Sequence, residues 1–509
     1  MKAHLLFRDR DPLPPTRPGP LTLALVQDLD VAAVLDAMGA GDAPLREAAE
    51  RVLLASLSTS EEVVYRQQAL EDCLRQPAAV RELYRIVVDA LERERQIWGW
   101  SERSASSVLY RSLGLLKGFL ASLRHALEVV RAHRAAFRSA AFRQLVASME
   151  EELDARFFAE ADAHLRRLES RASFLLSAAV GRGAAATSYV LRTPPTALPR
   201  GWRRLGALRR DPHTIVVADR DETGHRLLGE LIDRGLTPAA AALGRAADHM
   251  LQFLRALRTE LGFYVGALNL HERLRAIGAP VCFPELRGTE GPACAARGLY
   301  DVGLALRLGR PPVPNDLDGA GRRLVLITGA NQGGKSTLLR AVGLAQLLGQ
   351  AGLFVGAESL STGIASGIFT HFRREEDPTL RRGKLEEELA RMQDVCRVLA
   401  PGGLLLCNES LSSTNEREGS EIADQVVRAL VDRGITVVYV TFLFEFADAW
   451  RRRGRTDCLF LRAERTEDGA RTFRLLPGEP EPWSFAEDVC RKVWDLPLPA
   501  APPRAAAGG

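Results

Sequence analysis

The stretch LVLITGANQGGKSTLLRAVGLAQLL, Leu324 to Leu348, constrains the fold more than any other part of the chain. An apolar run of strand length leads straight into a glycine-rich loop, and the loop opens straight into an amphipathic helix. The loop carries Gly-x-x-x-x-Gly-Lys-Ser as Gly329, Gly334, Lys335 and Ser336. A Walker A phosphate loop needs this order. Its glycines let backbone N–H groups close around phosphate oxygens, and the helix N-terminus adds its positive end. Lys335 is then expected to neutralise the β- and γ-phosphates of ATP, with the Ser336 hydroxyl a ligand for Mg²⁺.

The flanking sequence agrees with an α/β domain. Buried strands are expected at Leu324–Thr328, Gly403–Cys407 and Ile435–Thr441, followed by a hairpin through Cys458–Arg462 and Thr472–Leu476. Helical segments follow the loop and the strand near 405, which is what a parallel sheet with crossover helices requires. The strand LLLCNE ends on Asn408 and Glu409, two polar groups delivered from a buried run.

The amino-terminal part reads differently. From Leu21 to Arg182 it is helix after helix, rich in Ala, Leu, Arg and Glu. Leu109, Leu113, Leu116, Leu120, Leu123, Leu127 and Val130 form one seam in steps of four and three. Leu243, Ala247, Met250, Leu254, Leu257, Leu261, Tyr264 and Leu268 form another. Between the two seams the period is lost. SYVLRT and HTIVVADRD read as short strands, and Arg200, Arg203, Arg204, Arg209 and Arg210 gather around Trp202. Such a cluster is more often a solvated loop than a phosphate-contacting tip.

At 509 residues the chain is too long for one core. The expected fold is multidomain: an N-terminal segment (1–20), an all-α core with long lever-like helices (21–285) carrying a small insertion (183–236), and an α/β P-loop NTPase domain, ABC-like (286–495). A disordered Pro/Ala/Gly-rich tail (496–509) is expected to end it. The formal charge of +4 is a slight lean, so any nucleic-acid surface must come from local clustering. Seven scattered cysteines without a C-x-x-C pair argue against disulfides or zinc and for a cytoplasmic protein, nucleoid-associated if it binds DNA. No apolar run is long enough to cross a membrane.

The loop Thr328–Thr337, TGANQGGKST, resembles the TGPNMGGKST loop of the MutS mismatch-repair ATPases and differs at Ala330 and Gln332. Further similarities follow in order. Val313–Asp316 (VPND) precedes the strand, Ile368-Phe369-Thr370 stands for an IFTR-like strand, NESLSSTNEREG for DEIGRGTSTYDG, and Leu476-Pro477-Gly478 for a late hairpin. SEEVVYRQQALEDCLRQPAAVREL resembles the start of the family's core domain, and the seamed helices its levers, with a reduced clamp.

The resemblance implies ATP and Mg²⁺ as cofactors. Gly329, Asn331, Gly333, Gly334, Lys335, Ser336 and Thr337 would bind nucleotide, Ser336 and Asn408 would hold the metal, and Glu409 would act on the attacking water. It also implies DNA as a partner and an ATP-dependent homodimer communicating through Ser412, Ser413, Thr414 and Asn415. A simpler reading makes Thr414 or Asn415 a helix cap.

Two departures matter. Asn408 replaces an aspartate, so the charge opposing Mg²⁺ is lost. Phe442 replaces a histidine that senses the γ-phosphate, and phenylalanine forms no such bond. Phe158-Ala-Glu160 has the Phe-x-Glu spacing of the family's mismatch wedge but lies in a strongly helical run, where core and solvated face is the better reading. The expected function is an ATPase, slowed by these two departures, that binds structured or branched DNA without mismatch recognition. The alternative is a nucleotide-gated clamp or scaffold with little turnover. An SMC-like or ABC-type ATPase fits less well, since no LSGG-like loop occurs near 383–420.

Overall fold

The computed structural model describes residues 2–11, 18–97, 104–169, 175–182, 186–192, 218, 220–288, 291–374, 383–466 and 470–481. The chain begins with helices α1 (Pro20–Asp28), α2 (Val31–Gly39), α3 (Ala43–Leu53), α4 (Ser60–Arg75), α5 (Pro77–Ile97), α6 (Ala105–His133), α7 (Ala140–Glu152) and α8 (Ala155–Glu169). Strands β1 (Leu175–Val180) and β2 (Ala186–Arg192) precede the long helix α9 (Glu222–Ala276). Then come β3 (Glu285–Arg287), β4 (Ala295–Leu299), α10 (Val302–Leu308), β5 (Asn315–Asp318), β6 (Leu324–Gly329), α11 (Lys335–Gln350), β7 (Ser359–Gly363) and β8 (Ile368–Phe372). The last elements are α12 (Lys384–Val398), β9 (Leu404–Asn408), α13 (Glu416–Asp432), β10 (Thr436–Val440), α14 (Phe444–Arg452), β11 (Cys458–Arg465) and β12 (Arg471–Pro477).

Two compact units result. The first comprises Met1–His4, Ala78–Arg138 and Phe142–Leu261; the second comprises Leu5–Pro77, Ser139–Ala141 and Gly262–Gly509.

In the first unit, every residue of the α6 seam is buried, from Leu109 to Val130. Ser104 caps the helix, its hydroxyl accepting from Ser107 N–H at 3.2 Å. The second seam lies on α9, with Ala247, Leu254, Leu257 and Leu261 buried and Leu243 and Met250 half-buried. Phe158 packs inward on α8 under the Arg124 guanidinium, 4.5 Å from the ring centre. Glu160 stays on the solvated face and pairs with Arg156.

The insertion expected over 183–236 has different edges. The antiparallel pair β1–β2 starts at Leu175, inside the run expected to be helical, and α9 already includes Glu222–Leu236. Asp221 caps that helix by accepting from Gly224 N–H at 2.9 Å. Packing explains why the glycines near it do not break it. At Gly235 a Cβ would lie 2.4 Å from Leu176 Cδ2, so the glycine admits β1 against the helix. The Trp202 arginine cluster, most of HTIVVADRD and the tail expected over 496–509 lie outside the described residues.

The second unit is an α/β domain with two sheets among the described residues. A sheet ordered β12-β11-β6-β10-β9-β8 is parallel from β11 to β8, with β12 antiparallel at one edge. A smaller mixed sheet is ordered β3-β7-β4-β5. The central strands LVLITG, LLLC and TVVYV are continuous apolar runs because both faces are covered. One face packs Leu324, Leu405, Cys407, Val437 and Tyr439 against Val395, Val427, Phe446 and Trp450 from α12, α13 and α14. The other receives α11, where a Cβ on Gly343 would fall 2.5 Å from Leu406 and 2.7 Å from Leu29.

A division at residue 285 does not describe this unit. Leu5–Pro77 belongs to the same compact body as the sheet, and the expected separate segment 1–20 contributes Leu5, Leu6 and Phe7 to its core. Polar bonds over long sequence separations hold this unit together. The fully buried Arg66 donates to Leu6 O at 3.0 Å and to Ala351 O at 3.2 Å, just beyond the end of α11. Gln350 donates to Leu57 O and Ala365 O, and Tyr264 OH donates to Leu5 O at 2.7 Å.

Candidate functional site

Strand β6 ends on Gly329, and the chain turns through left-handed backbone at Gly329 (φ 102), Gln332 (φ 58) and Gly334 (φ 91) before α11 begins at Lys335. Close approach by the β11–β12 hairpin adds to the need for glycine. A Cβ on Gly333 would meet Ala463 Cβ at 2.6 Å, and one on Gly334 would meet Phe473 O at 3.2 Å. Arg471, also on the hairpin, donates to Asn331 O at 3.1 Å and pins the loop from outside. Thr337 sits half-buried in the first turn of α11.

Lys335 is buried, and its ammonium donates to Gly329 O at 2.8 Å and Ala330 O at 2.9 Å. The Phe442 ring covers it, 4.4 Å from Nζ to the ring centre. Burial lowers the Lys335 pKa to about 8, with Glu409 opposing the shift and Arg471 adding to it. Phe442, placed by the turn between β10 and α14, thus makes a cation–π contact with the loop lysine. Thr441 shapes that turn by accepting from Leu443 N–H at 2.9 Å.

Asn408 ends β9 beside the loop. Ser336 Oγ donates to Asn408 Oδ1 at 2.9 Å, bringing a hydroxyl and an amide oxygen together. Both are hard oxygen donors, and neither carries charge. Glu409 follows in left-handed backbone (φ 53), with its N–H on Val440 O at 2.8 Å and its carbonyl accepting from Ser412 Oγ at 2.6 Å. Its carboxylate lies 4.0 Å from Arg373 Nη1. Burial raises the Glu409 pKa above the usual carboxylate range, while Lys335 and Arg373 pull it down.

The residues selected from sequence therefore meet at the carboxyl ends of β6, β9 and β10. Asn415 acts as the cap of α13, accepting from Glu418 N–H at 3.0 Å. Sequence reasoning missed Arg373 and His371. Both follow from strand register, because Phe372 of β8 pairs with Asn408 of β9 and Arg373 N–H donates to Asn408 O at 2.9 Å.

His371 is buried beside Ser410, the residue after Glu409. Its Nε2 faces Glu388 O at 3.0 Å, which only accepts, so Nε2 carries the proton. Nδ1 lies 2.8 Å from the Ser410 hydroxyl, which itself donates to the His371 carbonyl. Burial, with Arg391 and Arg374 nearby, lowers the His371 pKa to about 4. Because the folded-state value is depressed, the linked stability is present above about pH 6.5 and is lost as pH falls toward 4. The expected loss from this residue is about 2 kcal/mol between pH 7.5 and 5. His371→Gln should remove that part of the pH dependence. Denaturant midpoints at the two pH values measure it, and an unchanged dependence would refute the assignment.

The geometry defines an α/β domain with a glycine–lysine–serine loop at its strand ends, joined to a helical unit. Sequence comparison gives its family. Residues 58–277 match the MutS2 N-terminal domain and residues 325–484 match MutS domain V. The chain belongs to the MutS family. It is 33% identical over 196 residues to the DNA mismatch repair protein MutS of Thermus aquaticus, covering 36% of this chain and 24% of that protein. It is 30% identical over 249 residues to MutS of Synechococcus sp. (strain CC9311), covering 46% and 27%. To the Endonuclease MutS2 of Anaeromyxobacter sp. (strain Fw109-5) it is 30% identical over 301 residues, covering 56% and 35%. These matches span about a quarter to a third of the relatives' own length. Among the described residues no helix is long and apolar enough to cross a membrane.

Proposed function

We propose that the Gly329–Thr337 loop is a Walker A loop of a P-loop NTPase domain that binds ATP with Mg²⁺, and that the chain hydrolyses it slowly and binds DNA. The carrying observation is the convergence of Lys335, Ser336, Asn408 and Glu409 around the left-handed loop. Backbone N–H groups of Gly329–Gly334 would cradle the phosphates. Lys335 would exchange its two carbonyl partners for β- and γ-phosphate oxygens. Ser336 Oγ and Asn408 Oδ1, already within 2.9 Å of each other, suit a magnesium ion or its bound water. When bound, Mg²⁺ would offset phosphate charge in the transition state. Glu409 would orient the attacking water and accept its proton.

The names of the relatives support DNA as the partner, within mismatch-repair-related work. We assign binding to structured or branched DNA without mismatch reading, since Phe158 is packed into α8 core rather than presented on a strand. An ATP-dependent homodimer through Ser412–Asn415 belongs to the same reading. Two observations favour a second one, a nucleotide-gated clamp with little turnover: Asn408 is neutral, and Phe442 places a ring on Lys335.

Phosphate release and fluorescent-ATP binding, with and without duplex, mismatched duplex and four-way junction, separate the readings. DNA-stimulated release supports the ATPase, and binding without release supports the clamp. Nucleotide binding that survives Lys335→Ala would overturn both. DNA binding insensitive to salt would refute phosphate contacts. Asn408→Asp should strengthen Mg²⁺ dependence, raising apparent metal affinity about tenfold by restoring a charge next to the ion. A magnesium titration of ATP binding reads this directly, and weaker metal affinity in the variant would contradict it.

A further inference from the structure

Two cations address Glu409 from different elements. Lys335 comes from the loop and is buried, while Arg373 comes from the end of β8 and is exposed. The Arg373 backbone is fixed by its N–H on Asn408 O, which sets the guanidinium one residue beyond the Phe372–Asn408 rung. Its side chain is held less tightly. At 4.0 Å from Glu409 Oε2 the pair lies beyond hydrogen-bond length and is Coulombic. It therefore costs little to redirect.

Charge balance gives that redirection a reason. The end of β9 supplies one carboxylate, Glu409, and one neutral amide, Asn408, against Lys335 and Arg373. Before any ligand binds, the centre carries a surplus of positive charge. In a loop of this type the terminal phosphate falls between the loop lysine and the group that handles water. Arg373 borders that place, and its planar fork suits phosphate oxygens better than a point charge does.

Resting on the nucleotide reading above, we propose that Arg373 leaves Glu409 to contact the terminal phosphate of ATP, so that this one side chain sets the preference for ATP over ADP. The transfer also releases Glu409 to face water. With Asn408 unable to oppose the metal, the arginine supplies charge that Mg²⁺ would otherwise supply alone, and ATP binding persists in part when magnesium is chelated.

The test measures dissociation constants of fluorescent ATP and ADP derivatives for wild type, Arg373→Ala and Arg373→Lys, in magnesium and in EDTA. Wild type is expected to prefer ATP. Arg373→Ala should lose about tenfold in ATP affinity with ADP affinity within about twofold, and the loss should be larger in EDTA. Arg373→Lys should recover part of it. The same loss should persist in a Glu409→Gln background, because the contact is with phosphate and not through the carboxylate. Equal weakening of ATP and ADP, or an effect that vanishes in Glu409→Gln, would overturn the role of Arg373 alone. Wild type that binds neither nucleotide would overturn the nucleotide reading and this inference with it.

Discussion

Glu409→Gln should lower the rate of phosphate release by about two to three orders of magnitude while leaving ATP affinity unchanged or stronger. The two effects separate because the carboxylate would have two separable roles. As a base it accepts a proton late in the reaction, which glutamine does not do. As an anion beside the phosphates it repels the ground state, and the amide removes that repulsion. Loss of catalysis without loss of binding corresponds to about 3–4 kcal/mol of transition-state stabilisation.

The pH profile gives an independent check. Burial holds the Glu409 pKa above the usual carboxylate range. Wild-type turnover should therefore fall on the acid side as the base is protonated, and the residual activity of the glutamine variant should lack that limb. Single-turnover phosphate release beside equilibrium binding of fluorescent ATP would measure both. A variant that turns over at the wild-type rate would remove Glu409 from the mechanism.

Much of this site was legible because its signals are local. The glycine spacing, the apolar run before it and the helix after it lie within one short stretch, and β9 and β10 announce themselves as unbroken apolar runs. In sequence Phe442 stands out for the bond it forgoes, but its ring contact with Lys335 depends on how the end of β10 sits beside the loop. Arg373 was invisible for a related reason. Nothing in HFRREED says that its first arginine lies beside Glu409; the β8–β9 register does. The edge of the insertion was less legible, because α9 runs through Gly229, Gly235 and Pro238, and the contact with Leu176 that Gly235 admits joins stretches far apart in sequence.

The division into units was the least legible feature, and Arg66 shows why. Arg66→Met should destabilise the second unit by about 3 kcal/mol. The guanidinium is fully buried, bonds carbonyls at Leu6 and Ala351, and stacks 4.5 Å from the Phe7 ring centre. From sequence, an arginine on α4 reads as solvated helix surface; its partners lie 60 residues before it and 285 after it. Methionine fills much of the volume and removes the charge, so packing and desolvation change less than hydrogen bonding. What remains is the cost of two buried carbonyls without their donor, at about 1–3 kcal/mol each, offset by relief of a buried cation. Arg66→Lys should fall between the two, since one ammonium reaches both carbonyls less well than a planar fork. Denaturant unfolding would give the stability, and limited proteolysis near Leu5–Phe7 would show whether the amino-terminal segment detaches first. A methionine variant as stable as wild type, with that segment still protected, would mean that apolar packing of Leu5, Leu6 and Phe7 alone joins the chain's start to the sheet.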